Sequence, residues 1–238
     1  MSILSTNFKK SALVIVVSML LFSLVIPSVS AEQGGKNNKK DGVVNTGRTV
    51  ENIDEDWTFY KGAQSAEENF SATNFNDGSW EQISLPHTWN AEDGIDLGGY
   101  YQGDGWYRKE ITIPNSYEGK KLFLQFGAAN KEAEVFVNGE SLHTNIGGYT
   151  AFTVDISDHV NYGQKNIVAI RVNNEVKDSA PLSADFTFFG GIYRSVNLIV
   201  TDQTHIDVED DGSNGVYVTI PNDESIEKNA EVTLTVPV

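Results

Sequence analysis

Short runs of strand-forming residues, each closed by a turn signal, recur along this chain. None lengthens into the 3.6-residue period of an amphipathic helix. The runs are Trp57–Tyr60, Trp80–Leu85, Trp106–Ile113, Lys121–Phe126, Ala133–Asn138, Tyr149–Val154, Asn166–Val172 and Val196–Thr201. Asn76-Asp77-Gly78, Pro114-Asn115, Asn138-Gly139 and Tyr162-Gly163 punctuate them. Asn138-Gly139 is the clearest hairpin signal, because a type I′ turn demands positive φ at both central residues. Strands this short and this numerous predict an all-β fold, an antiparallel β-sandwich of jelly-roll type.

One stretch inside this pattern stands apart. Residues Ala184 to Val196 read A-D-F-T-F-F-G-G-I-Y-R-S-V, with an acid, four aromatics, two adjacent glycines and an arginine. Paired glycines among aromatics predict a close backbone approach or a positive φ that a Cβ would forbid. Asp185 precedes three phenylalanines within four residues, where an unpartnered carboxylate is costly to bury. It either pairs with Arg194 or faces a wet, concave surface.

Charge and cysteine usage exclude several functions. Across 238 residues, 17 basic side chains oppose 33 acidic ones for a net charge of −16, which argues against a nucleic-acid partner. With no cysteine there is no disulfide framework, thiolate zinc site or cysteine nucleophile. No G-x-S-x-G elbow is present, and the four histidines share no metal-ligand spacing. Asp207, Glu209, Asp211 and Gly212 imitate the start of a calcium loop, but position twelve is Val218 rather than a bidentate glutamate. The sequence therefore calls for no metal and no cofactor.

Met1 to Ala31 reads as a secretory signal peptide: Lys9-Lys10, an apolar core from Ser11 to Ile26, and Val29-Ser30-Ala31 as cleavage site. That core is short of the roughly 20 residues a membrane span needs, and Pro27 ends it. The expectation is a secreted, extracellular protein with no membrane contact after cleavage. Residues 32–47 are polar, Gly/Asn/Lys-rich and aperiodic, as a flexible linker would be. The jelly roll is expected over 48–203. Beyond it, His205–Val208, Gly215–Ile220 and Ala230–Val236 alternate as strands of a second element over 204–238.

The stretch from Asp185 to Arg194 resembles the end of the N-terminal sugar-binding domain of glycoside hydrolase family 2, the β-galactosidases, β-glucuronidases and β-mannosidases. Four further blocks follow that family's order: L-P-H-T-W-N (85–90), G-W-Y-R-K (105–109), V-F-V-N-G (135–139) and G-G-Y-T-A-F (147–152). The resemblance implies a galactose-binding-like jelly roll followed by the start of an immunoglobulin-like β-sandwich, cut short at Val238. It also implies that Asp185 reaches a sugar's hydroxyls in subsite −1, which suits a carboxylate's capacity for paired hydrogen bonds. Asn90 and the 99–102 loop with Tyr101 approach the same pocket, and His87 holds a structural place at the domain edge. Of the four tryptophans, Trp57, Trp80 and Trp106 belong in the core, and Trp89 is the one expected beside a sugar. Arg194 braces the Asp185 loop.

The family's two catalytic glutamates stand on a (β/α)8 barrel, for which this chain has no residues left. The chain is thus read as the N-terminal portion of an exported retaining β-glycosidase, inactive alone. Its partners would be a β-galactoside-like carbohydrate and a catalytic barrel encoded downstream. A stand-alone secreted carbohydrate-binding module and an adhesive β-sandwich are the rival readings.

Overall fold

A computed structural model describes residues 47–93, 99–175, 187–210, 212–213, 215–219 and 233–238. The expected signal peptide, nearly all of the 32–47 linker, and Asp185 lie outside the described residues.

Among the described residues, twelve strands form. They are β1 (Thr49–Asn52), β2 (Trp57–Lys61), β3 (Glu81–Ile83), β4 (Asp104–Thr112), β5 (Lys121–Phe126), β6 (Glu132–Val137), β7 (Glu140–Ile146), β8 (Phe152–Asp155), β9 (Lys165–Asn173), β10 (Val196–Thr201), β11 (Tyr217–Thr219) and β12 (Thr233–Thr235). A four-stranded sheet runs β1-β10-β5-β8 and a six-stranded sheet β3-β2-β4-β9-β6-β7. Every pairing in them is antiparallel. The architecture is an all-β sandwich, as the strand pattern predicts.

The period of two shows most clearly in β6, where Ala133, Val135 and Val137 are buried and Glu132, Glu134 and Phe136 alternate with them. The buried set meets Ile170 and Val172 of β9 and, from the opposite sheet, Leu124, Phe126, Leu198 and Val200. Trp57 and Tyr107 fill the same core at 0% exposure. Asn138 and Gly139 join β6 to β7 with φ of +51° and +90°, the left-handed pair the hairpin signal demands.

Both sheets carry a second layer. Phe70 and Trp80, from the 62–80 loop, cover Trp106 on the six-stranded sheet, with Phe75 and Phe136 packed around them. This loop also buries Arg108 of β4, whose Nε lies 3.2 Å from Asp77 Oδ2. Val208 packs on Phe123 and Ile199 of the four-stranded sheet, and the His205 ring stands 5.3 Å from that of Phe123.

Departures from the sequence pattern have local causes. β1 and β7 are edge strands exposed along most of their length, so they carry no apolar alternation. The predicted run from Tyr149 starts only at Phe152, because Gly147 turns the chain at φ +137° and leaves Tyr149 in a loop. His205–Val208 forms no strand; its backbone lies against the four-stranded sheet instead, and Asp207 N donates to Pro237 O. β11 and β12 make a separate antiparallel ribbon, with Val218 and Leu234 exposed.

Candidate functional site

The loops of residues 87–93, 99–103, 127–131, 147–150 and 187–195 are tied to one another at one end of the sandwich. Their organiser is a pair of buried amides. Asn90 Oδ1 accepts Gly190 N at 2.8 Å, while its Nδ2 donates to Tyr101 O at 3.0 Å and to Asp93 Oδ1 at 2.9 Å. Asn174 Nδ2 donates to Phe188 O at 3.0 Å, and its Oδ1 accepts Gly103 N at 2.9 Å. With every polar atom of both side chains engaged, burial at or near 0% costs little. Because Asn174 reaches Phe188, the two flanks of residues 176–186 are fastened together.

The paired glycines are both needed, for different reasons. Gly190 lies flat on the Trp89 indole, where a Cβ would come within 2.0 Å of Cζ2. Gly191 takes φ +124°, and a Cβ there would meet His87 O and Tyr107 Oη at 2.6 Å each. The segment between Thr187 and Ile192 is held further by Thr88 Oγ1 on Gly190 O (2.7 Å) and Asn130 Nδ2 on Phe189 O (2.8 Å). A bridge between Asn130 and Gly191 completes it.

Beneath lies a contact between two titratable rings, Tyr107 and His87. Burial pushes the Tyr107 phenol far above its ordinary range, so it stays protonated. Its oxygen accepts from Ile192 N at 3.4 Å and lies 2.9 Å from His87 Nδ1. Burial lowers the His87 pKa, with Glu81 partly opposing.

Above this scaffold opens a cavity of about 410 Å³, lined by Thr88, Asn130, Tyr149, Phe189, Tyr193 and Arg194, with Thr187 at its edge. Tyr149 and Phe189 are 47% and 42% exposed, unusually so for aromatics beside a cavity. Tyr193 donates its hydroxyl proton to Gly148 O. Arg194 lies against Gly127, where a Cβ would meet its own Cβ at 2.8 Å, and its guanidinium stands 5.6 Å from the Tyr193 ring centre.

The residues expected at a sugar thus divide. Trp89, Asn90 and Tyr101 lie together at this loop end. Trp89 is 6% exposed and borders a cavity together with His87, Thr88 and Asp93, while Asn90, 0% exposed, spends its side chain on the loops around it. Tyr101, half-buried, donates its hydroxyl to Asp104 O at 3.0 Å and packs edge-on to Trp89 at 6.3 Å. Among the described residues Arg194 braces its loop only through a 3.4 Å contact to Gly127 O. Asn174, Tyr149 and Phe189 escaped the sequence reading. Tyr149 lay within a block already singled out, whereas nothing in the sequence around Asn174 marks its role.

Residues 48–202 match the family model of the glycosyl hydrolases family 2 sugar binding domain. A β-glucuronidase of Bacteroides fragilis is 45% identical over 154 residues, 63% of this chain and 22% of that protein. A β-galactosidase of Thermoanaerobacter pseudethanolicus is 34% identical over 172 residues, 67% of this chain and 22% of its own length. The crystal structure of a Bacteroides uniformis β-glucuronidase superposes with a TM-score of 0.74 at 36% identity, covering 79% of this chain and 22% of the other. The chain spans about a fifth of the length of these relatives. With the sandwich, the clamped Gly-Gly turn and 155 matched residues in agreement, this chain belongs to glycoside hydrolase family 2 and carries its sugar-binding domain.

Proposed function

We propose that this chain is the N-terminal, sugar-facing portion of an exported retaining β-glycosidase of the β-glucuronidase and β-galactosidase type. In this reading the loop end completes a pocket whose acid/base and nucleophile belong to a downstream barrel. Asp185 contacts the hydroxyls of the bound sugar, the β11–β12 ribbon begins an immunoglobulin-like domain, and Met1–Ala31 directs secretion. The supporting observation is the clamp: Asn90, Asn174 and Thr88 fix the backbone on the C-terminal side of the Asp185 segment through four bonds of 2.7–3.0 Å, counting Asn130 on Phe189 O. So rigid a mount suits a side chain that must meet a substrate within a few tenths of an ångström.

The test is a chimera in which residues 48–202 replace the corresponding domain of the Bacteroides fragilis relative. The chimera should hydrolyse a chromogenic β-glucuronide. Asp185→Asn should leave its melting temperature in place and cut kcat/KM roughly ten- to a hundredfold, the worth of a hydrogen bond to a charged group. A folded but inactive chimera, or an Asp185→Asn variant of unchanged kcat/KM, would refute the proposal. The rival binding-module reading draws on the exposed Tyr149 and Phe189. It requires the chain alone to bind polysaccharide far more tightly than about millimolar.

A further inference from the structure

A cleft of about 410 Å³ opens on the six-stranded sheet, between Gln64 and Asn69 of the 62–80 loop and the side chains of β4, β6 and β9 that point away from the core. It shares no lining residue with the cavity at the loop end. Trp106 borders it, 4% exposed, and its buried Nε1 has no acceptor among the described residues. Trp57, likewise buried, gives its Nε1 to Ile53 O at 2.7 Å. A buried donor left over is costly, and this one stands beside space that an acceptor could fill. Two more donors face the cleft from the loop. Gln64 Oε1 accepts Phe70 N at 2.8 Å and Asn69 Oδ1 accepts Ser71 Oγ at 2.8 Å. The amide oxygens are thereby pinned, and both amide nitrogens lack a partner among the described residues. The acceptors are Glu134 and Asp104, held in place by Arg171 Nε and Nη1 at 3.3 Å each, with Asp104 Oδ2 unpartnered among the described residues.

We propose that this cleft is a saccharide site of its own, which takes a neutral pyranose unit by its hydroxyl edge. Its size falls in the range of small-ligand sites, roughly 300–1,000 Å³. Fixed donors beside fixed carboxylate acceptors suit hydroxyls, each of which donates and accepts at once. Charge then selects among saccharides. Arg171 is matched by three carboxylates, those of Asp104, Glu132 and Glu134, so the surplus is negative and a uronate or phosphate is repelled. The ligand must come edge-on, because Phe136 stacks on the Trp106 ring at 5.7 Å and Phe70 meets it edge-to-face at 5.4 Å. Half-buried Phe136 supplies the apolar side of the cleft. The inference goes beyond the proposed role of the loop end and needs no downstream barrel.

The indole N–H gives the test a reporter inside the cleft. In ¹H–¹⁵N NMR of the whole chain, the Trp106 indole signal is the one that Trp106→Phe removes. Cellobiose should shift it saturably, with a dissociation constant on the order of millimolar. Cellobiouronic acid, with a carboxylate in place of one hydroxymethyl group, should bind roughly threefold to fivefold more weakly, and about 0.5 M salt should narrow that gap. Gln64→Ala should weaken cellobiose roughly threefold to tenfold, the worth of one hydrogen bond. Trp106→Phe, followed through the Gln64 side-chain amide, should do the same. Phe189→Ala, in the loop-end cavity, should leave the affinity unchanged. No saturable shift, an equal shift with glycerol at the same concentration, or an acid bound as tightly as cellobiose would each overturn the inference. So would a shift that survives Gln64→Ala at full affinity or disappears with Phe189→Ala, which would place the sugar at the loop end. The chimera's activity is read separately: an inactive chimera leaves this inference standing, and an active one does not rescue it.

Discussion

Substituting Gly190 by alanine tests whether the loop end is built on contact rather than on backbone freedom. Gly190 needs no left-handed φ; its constraint is the Trp89 indole, with Cζ2, Cε2 and Cη2 at 2.0, 2.3 and 2.8 Å from any Cβ. The indole cannot retreat, because Gly105 abuts its other edge and a Cβ there would already lie 2.4 Å from Cζ3. Phe59 stacks 6.0 Å away and closes the remaining direction. One extra methyl in so tight a site costs about 1–3 kcal/mol. Lifting Gly190 away would also stretch its bonds to Asn90 and Thr88, at about 1 kcal/mol each. The expected loss is about 3 kcal/mol, or roughly 6–12 °C in Tm for a domain of this size. Urea unfolding of the parent, Gly190→Ala, Trp89→Phe and the double variant supplies the cycle. The smaller ring should accept the methyl, so the double variant should be more stable than additivity allows by at least about 1 kcal/mol. A Gly190→Ala variant within about 0.5 kcal/mol of the parent, or strict additivity, would refute the contact argument.

Two further predictions concern buried charge. Because burial lowers the His87 pKa below its unfolded value of about 6.5, the unfolded chain takes up the proton first as pH falls. Stability from this site should be complete above about pH 6.5 and should decline below it, down to the folded pKa. His87→Gln should flatten that part of the stability curve, and an unchanged difference curve between pH 7 and 5.5 would count against the assignment. Asp77→Ala removes the partner of a guanidinium that is 2% exposed, as well as the acceptor of Thr58 Oγ1 at 2.8 Å, and should cost about 3 kcal/mol by chemical denaturation. Arg108→Met in the same background should recover much of it; a failure to recover would mean that Asp77 acts through Thr58 instead.

The fold was legible because burial between two sheets imposes a period of two that survives in the sequence. β5, β6, β9 and β10 end within one residue of their predicted bounds for that reason. The exposed edge strands β1 and β7 feel no such pressure and passed unseen, whereas β8, an edge strand buried along most of its length, did not. The loop end was legible only as a set of motifs. Trp89 followed a Pro-His pair and looked exposed, yet the glycines that bury it stand at 105 and 190, on strands and turns far off in sequence. No local pattern announces a contact of that separation. Asn90 was marked only by the family resemblance, and nothing local announces that its four hydrogen-bonding positions are claimed by backbone and neighbouring side chains.

The same packing explains why exposed aromatics gather at the loop end. The outer layer of the six-stranded sheet is closed by Phe70, Phe75 and Trp80, and Val208 shields part of the other sheet. A flat sheet face that is already covered cannot take up a sugar ring without losing its own cover. The loop end escapes this because its polar demand is met from below, by Asn90 and Asn174, so its upper side can leave aromatic rings exposed without orphaning the backbone that carries them. Exposed aromatics on an unsupported loop would collapse inward. Here Tyr193 is tied to Gly148 O, and Phe189 O is held by Asn130. The buried amides thus keep an apolar surface open, and their loss should first be felt as closure of the cavity.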